Sequence, residues 1–256
     1  MFRDEGRAMK DRIMLFSVLR YTPSRISGEY INLGVLYSDI EGKRVKFSYT
    51  KKKRRLEEFD DQLDFKQVNN LLVSIQKEVI EQQGTNEFSI EKFTKYYINS
   101  YCFSNVQQIV YDSFDEKVNQ LDRTFLRFDY EKSERSTQYD DERLLKDMLT
   151  ARQIPFSKSK IVTGSFNDKI TYDFVTEDFY IKYFDFDGKQ LNKVVNSIKT
   201  WAWNSMHSDK KIYIIFRYSD EKIRSEESFN TIIQILKEAN VKTYNIDDVE
   251  QIFNAS

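Results

Sequence analysis

The chain has 256 residues, of which 40% are hydrophobic and 15% aromatic, so one large core or two ordinary ones can form. A single cysteine, Cys102, cannot form an internal disulfide or a zinc cluster. The rarity of histidine, with His207 as the only one, argues against the usual Ser-His or Cys-His catalysis. No run of about 18 apolar residues occurs, and the N-terminus lacks the apolar core of a signal peptide, so we expect a cytoplasmic protein without membrane contact.

The net charge of −1 conceals an uneven distribution along the chain. Residues 1–55 hold 14 Lys and Arg against 6 Asp and Glu, whereas residues 56–150 hold 11 against 20. The basic start and the acidic middle can neutralise each other within one domain. Alternatively, they leave a basic face free for phosphate or for an acidic partner.

Apolar alternation and turn residues predict an antiparallel meander at the start of the chain. Strands are expected at 13–21, 29–39 and 44–50. Gly34 inside the second strand predicts a bulge or a close backbone approach. Apolar spacing of three and four predicts a helix over 62–83.

The polar segment 130–142 is interpreted as a boundary or linker, because the pattern changes after it. Helices and strands then follow in the order α-β-β-β-α-β and α-β. The run KIYIIFRYS is continuously apolar, which is typical of a strand buried on both faces. We therefore predict an α/β (α+β) protein with an N-terminal domain over 1–130, built on an antiparallel sheet with helices, and a C-terminal domain over 140–256.

The stretch SVLRYTPSRISGEYINLGV, residues 17–35, carries a family resemblance. Its SVLRY strand and its Gly-Glu-aromatic-x-Asn-x-Gly-Val run resemble an uncharacterised bacterial family, number 3037 of the domains of unknown function. The resemblance is specific over residues 15–50 and fades towards residue 130. It implies no catalytic role. It does imply a protein partner, because similar proteins occur in bacterial or phage-borne defence loci, sometimes beside toxin genes.

The polar residues of this motif have a structural and a binding interpretation. In the structural interpretation, Arg20 pairs with Glu29 across the turn and Asn32 satisfies backbone groups of the turn. In the binding interpretation, Arg20 and Arg25 form an anion-binding rim with the basic run Lys51–Arg55. We favour the structural interpretation, because a motif match alone is a weak sign of a site.

The basic run KKKRR follows the third predicted strand. Lys52, Arg54 and Arg55 are its candidate binding residues, since clustered positive charge is what phosphate groups require. A charge run at the exit of a strand is more often a solvated face. The run therefore supports a nucleic-acid interface only as an alternative.

The C-terminal α-β-β-β-α-β order resembles the restriction-endonuclease-like core of the PD-(D/E)xK nucleases. Those enzymes hold Mg²⁺ with carboxylates on adjacent strands, beside a catalytic Lys. The resemblance implies metal-binding and catalytic roles for Asp173 and a catalytic role for Lys182. Tyr180 stands where the second carboxylate belongs, which puts the metal site in doubt. Asp187, in a second D-x-K, and Asp185 are substitutes, although a turn explains them more simply.

The leading hypothesis is a partner-binding component of a bacterial or phage-borne defence or toxin–antitoxin locus, without a cofactor and without catalysis of its own. The alternatives are a Mg²⁺-dependent PD-(D/E)xK nuclease and a nucleic-acid-binding module that uses the basic first sheet. Trp201 and Trp203 lie two positions apart on a predicted helix and cannot share a face. One is expected in the core and the other at an exposed partner surface.

Overall fold

The chain divides into two compact units, Met1–Arg152 and Gln153–Ser256, here called the first and the second unit. The computed structural model describes residues 12–24, 29–83, 88–164, 167, 169–187, 189–218, 223 and 226–254. Within those ranges, no helix has the length and apolarity that crossing a membrane requires.

The described part of the first unit forms a five-stranded antiparallel sheet. Its strands are β1 (Arg12–Tyr21), β2 (Ile31–Asp39), β3 (Val45–Tyr49), β4 (Tyr101–Phe103) and β5 (Gln107–Tyr111). The order is β3-β2-β1, and both β4 and β5 pair with the remaining edge of β1. The predicted antiparallel sheet is confirmed, since its first three strands are the predicted meander.

Helices pack on both faces of this sheet. They are α1 (Lys53–Phe59), α2 (Phe65–Gln82), α3 (Ile90–Thr94), α4 (Phe114–Phe125) and α5 (Gln138–Ala151). The buried stripe of α2 shares a core with Leu15 of β1, whereas the ring of Phe16 lies 5.5 Å from that of Phe125 in α4. Because alternate residues of β1 face different helices, the strand is buried along most of its length.

The division of the chain falls after α5, at Arg152, whereas the sequence placed the domain boundary at 130–142. That segment is held to α4: Ser136 is buried, its hydroxyl donates to the carbonyl of Arg123, and its own carbonyl accepts from Arg127. Helix α5 contacts β5 and is joined to α4 by a buried ion pair, in which Lys117 Nζ lies 2.7 Å from Asp147 Oδ2. The polar residues of the segment therefore form hydrogen bonds within the first unit as well as contacts with solvent.

The second unit contains a mixed sheet. Its strands are β6 (Ser157–Thr163), β7 (Lys169–Val175), β8 (Phe179–Asp185), β9 (Lys211–Arg217) and β10 (Lys242–Asn245), in the order β10-β9-β8-β7-β6. Strands β6, β7 and β8 are antiparallel, whereas β8, β9 and β10 are parallel. As predicted, β9 is buried along its length apart from Lys211, because it lies between two parallel neighbours.

Two helices connect the parallel strands of this sheet. Helix α6 (Leu191–Met206) links β8 to β9, and α7 (Glu227–Glu238) links β9 to β10; a short helix, α8 (Gln251–Asn254), follows. Apolar residues of α6 and α7 share one core with β9. The β-β-β-α-β order is thus present. The restriction-endonuclease-like arrangement stays a prediction, because α5, the helix expected to complete it, belongs to the first unit.

Candidate functional site

The β1–β2 pair contains a bulge within the family-like motif. The register pairs Leu19 with Gly34 but Arg20 with Asn32, so β2 has one extra residue at this point. A Cβ atom on Gly34 would lie 2.6 Å from Cζ of Phe47. The bulge and the close approach predicted for Gly34 are therefore both present.

Arg20 stacks on an aromatic ring at the start of this pair. Its guanidinium carbon lies 4.3 Å from the centroid of the Tyr30 ring, a distance typical of a cation–π contact. Glu29 is exposed, and its ion pair with Arg20 stays a prediction. Arg25 lies outside the described residues.

Two buried polar contacts join β2 to the C-terminal part of α4. Asn32, only 4% exposed, donates from Nδ2 to the carbonyl of Phe125 at 3.0 Å. The hydroxyl of Tyr37 donates to Asp122 Oδ1 at 2.7 Å. Burial raises the pKa of the Asp122 carboxyl, and hydrogen bonds from Tyr37 and Ser48 oppose that shift. Asn32 thus bonds the end of α4, and these two contacts hold α4 on β2, whereas the predicted bonds of Asn32 to the turn involve residues outside the described part of the chain.

Lys53, Arg54 and Arg55 of the basic run form the first turn of α1 and are engaged in local contacts. Arg54 Nε lies 2.8 Å from Glu58 Oε1, one of two i,i+4 ion pairs in this helix. Arg55 lies 4.3 Å from the ring centroid of Phe128, and Lys52 is exposed before the helix begins. The local acidic partners reduce the net positive charge that this surface offers to a phosphate backbone.

The second unit brings Asp173 and Lys182 together across β7 and β8. Lys182 Nζ lies 3.2 Å from each carboxylate oxygen of Asp173, and each side chain is 21% exposed. The backbone N–H of Tyr183 donates to Asp173 Oδ2 at 2.7 Å. Lys182 Nζ also lies 5.4 Å from the ring centroid of Trp201. Both carboxylate oxygens are thus engaged by donors from β8.

The other candidate carboxylates lie at the end of β8. Asp185 Oδ1 accepts a hydrogen bond from the backbone N–H of Asp187 at 2.9 Å, as expected for a turn. Gly188, the middle residue of the second D-x-K, lies outside the described residues. Among the residues that the structure describes, no three His, Cys, Asp or Glu side chains are grouped to hold a metal ion.

Tyr180, at the position of the expected second carboxylate, borders a cleft of about 240 Å³. Its ring stacks on Tyr172 with centroids 4.4 Å apart, and its hydroxyl lies 3.3 Å from Asp209 Oδ1. The cleft is lined by β6, β7, β8 and the C-terminal end of α6, including Trp203 and His207. No local sequence pattern indicates this cleft, because its walls come from separate elements.

The two tryptophans of α6 occupy different environments. Trp201 packs against the core, and Trp203 is 50% exposed at the cleft. The ring of His207 lies tilted by 37° against that of Trp203, with centroids 4.2 Å apart, and its Nδ1 lies 2.9 Å from the Trp203 carbonyl oxygen. Since a carbonyl only accepts, Nδ1 carries the proton and His207 caps the helix. The spacing of two residues was the sequence signal for one exposed tryptophan.

Residues 16–126 match the model of a family described as "Protein of unknown function (DUF3037)". This segment, here called the DUF3037 segment, is similar to that family and covers less than half of the chain. No curated protein and no solved structure shows significant similarity to the chain. The DUF3037 segment runs from β1 to the end of α4 and contains both buried contacts that anchor α4 to β2. Asp173, Lys182 and the cleft lie outside it.

Proposed function

We propose that the protein is a partner-binding component without nuclease activity. The observation that carries this proposal is the ion pair between Asp173 and Lys182, in which both carboxylate oxygens of Asp173 already have donors. A Mg²⁺ ion would have to compete with Lys182 and with the N–H of Tyr183 for the oxygens of Asp173. Mg²⁺ gives up its water ligands reluctantly, so one engaged carboxylate is a poor site for it.

Tyr180 adds to this argument. Burial and the nearby carboxylate of Asp209 raise the pKa of Tyr180 above its ordinary value of 10.0. The phenol therefore stays protonated at neutral pH and supplies a neutral oxygen where a nuclease needs an anion. The Asp173–Lys182 pair then acts as a structural ion pair between β7 and β8.

We further propose a bacterial or phage-borne defence or toxin–antitoxin locus as the genetic setting. Its support is the family resemblance of the N-terminal motif. Exposed apolar side chains of the second unit support protein binding: Trp203 is 50% exposed, and Met206 and Ile161 are each 58% exposed. Exposed tryptophan is enriched among residues that dominate binding energy at interfaces.

The nuclease alternative is tested with the purified protein. It is incubated with single-stranded and double-stranded DNA and with RNA in Mg²⁺ or Mn²⁺, beside the Asp173→Asn and Lys182→Met variants. We expect no cleavage by any of the three proteins. Cleavage by the unaltered protein that disappears in both variants would make it a metal-dependent nuclease. Partner binding is tested by co-expression with the products of neighbouring genes, from which we expect a stoichiometric complex.

A nucleic-acid-binding role is tested separately by filter binding at low salt. We expect no retention of DNA or RNA, since the basic run carries its own acidic partners. Retention that falls steeply with salt, with a shallower slope after Lys52, Arg54 and Arg55 are changed to Ser, would contradict the proposal. It would assign the first unit to nucleic-acid binding instead.

A further inference from the structure

A cleft in the first unit lies between α4 and the segment that leads into α5. Its volume is about 410 Å³, which is within the range of small-molecule sites. One wall runs from Asp112 to Arg123, and the other runs from Ser133 to Arg143. All fourteen residues that line this α4–α5 cleft are polar or charged, so a ligand that fits it is strongly polar.

The first wall follows one face of α4 and changes its charge along the helix. Glu116, Gln120 and Arg123 recur at intervals of four and three residues, so they lie on the same side of α4. At the rise of an α-helix, Glu116 and Arg123 are about 10 Å apart along its axis. This wall is therefore acidic at one end, where Asp112 and Glu116 lie, and basic at the other.

Two arginines of the basic end are held beside Tyr130. The guanidinium carbon of Arg123 lies 6.0 Å from the centroid of the Tyr130 ring, and Arg135 Nε donates to the Tyr130 carbonyl at 3.1 Å. Within the described ranges, neither arginine forms an ion pair. The acidic residues of this end, Glu134 and Asp140, accept hydrogen bonds from backbone N–H groups instead. The two guanidinium groups therefore retain donors for an anion.

The middle of the cleft has more donors than acceptors. Lys117 Nζ is already bound to Asp147 Oδ2 at 2.7 Å and to Gln120 Oε1 at 3.1 Å. Gln120 Nε2 is buried and has no acceptor among the residues that the structure describes. Arg143 Nε lies 3.8 Å from Asp147 Oδ2, which is beyond hydrogen-bond distance. Because a buried donor without an acceptor is unfavourable, this part of the cleft favours a ligand rich in oxygen.

We propose that the α4–α5 cleft binds a phosphorylated sugar, with its phosphate at Arg123 and Arg135 and its hydroxyl groups towards Glu116. The planar fork of a guanidinium group matches phosphate oxygens in a bidentate way. Carboxylates such as that of Glu116 accept hydrogen bonds from hydroxyl groups, and the amide of Asn119 both donates and accepts. A nucleobase would find no aromatic ring on which to stack, since none lines the cleft. The proposal goes beyond partner binding and does not depend on it.

Isothermal titration calorimetry of the full chain tests the proposal with D-ribose 5-phosphate and D-glucose 6-phosphate. Inorganic phosphate, the two unphosphorylated sugars and N-acetyl-phosphoserine N-methylamide serve as comparison probes. We expect at least one sugar phosphate to bind at a single site and more tightly than every comparison probe. No binding of either sugar phosphate, or equally tight binding of inorganic phosphate, would overturn the inference. Tighter binding of the phosphoserine probe would also overturn it and would assign the cleft to a phosphorylated protein.

Variants at the two ends of the cleft separate the phosphate from the sugar. Arg123 is exposed, so Arg123→Gln should keep the fold and weaken sugar phosphate binding about tenfold, the usual size of a lost charge-assisted hydrogen bond. Lys132→Gln is the matched control, because Lys132 is an exposed cation near this end that does not line the cleft. Glu116→Ala should weaken binding of the sugar phosphate but not of inorganic phosphate. Equal losses in Arg123→Gln and Lys132→Gln would show a general attraction between charges and would overturn the assignment.

Discussion

Removal of the Tyr37 hydroxyl tests whether the polar contacts of the DUF3037 segment hold α4 on the sheet. In Tyr37→Phe the ring keeps its packing, and only the 2.7 Å hydrogen bond to Asp122 is lost. Tyr37 is fully buried and Asp122 is 7% exposed, so water cannot readily replace the missing donor.

The expected cost follows from the charge of the acceptor. A hydrogen bond to a charged group contributes about 1.5–3 kcal/mol, whereas one between neutral groups contributes about 1 kcal/mol. We therefore expect Tyr37→Phe to lower the free energy of unfolding by about 1.5–3 kcal/mol at neutral pH. Tyr49→Phe is the matched control, because Tyr49 is only partly buried and its 3.4 Å contact is with the neutral Gln76.

The cost should depend on pH. Burial raises the pKa of the Asp122 carboxyl in the folded protein. Between the unfolded and the folded pKa, the folded state keeps a proton that the unfolded state has lost. Stability therefore falls as pH rises from the unfolded to the folded pKa. The Tyr37 hydroxyl limits this loss by lowering that pKa. Tyr37→Phe should therefore cost most above the folded pKa of Asp122 and least near pH 2, well below the ordinary Asp pKa of about 3.9, where the carboxyl is protonated in both states.

Urea unfolding followed by far-ultraviolet circular dichroism measures these effects at neutral and at acidic pH. Tryptophan fluorescence is unsuitable, since both tryptophans lie in the second unit. If Tyr37→Phe cost no more than Tyr49→Phe, or if its cost were the same at both pH values, the contact with Asp122 would not be an anchor of α4.

Two further predictions concern stability. Gly34→Ala should destabilise the first unit by about 1–3 kcal/mol, because its methyl group would lie 2.6 Å from Phe47; a thermal midpoint equal to that of the unaltered protein would contradict this. Lys117→Met should cost about 3 kcal/mol, the low end for a broken buried ion pair, since it leaves Asp147 with only the more distant Arg143, whose Nε lies 3.8 Å from Asp147 Oδ2. The double variant Lys117→Met/Asp147→Leu should recover much of that stability in the same urea assay, and failure to do so would assign the loss to packing.

Sequence alone determined the elements whose signals are local. The meander of β1, β2 and β3, the helix α2 and the buried strand β9 follow from alternation, from three-and-four spacing and from a continuous apolar run. The proximity of Asp173 and Lys182 was also predictable, because they lie on strands that follow each other in the chain. Gly34 identified its own bulge, since a missing side chain marks a close approach.

Only the tertiary structure decided which surfaces meet across long stretches of chain. Tyr37 and Asp122 are 85 residues apart, and neither residue type predicts the other. Helix α5 has an apolar stripe that the sequence shows, yet its assignment to the first unit depends on its contact with β5. The cleft at Asp209 is lined by residues from three strands and one helix end, so it exists only once these elements have packed together. A local pattern tells what a segment must bury, whereas the partner that covers it is fixed by the packing of the whole unit.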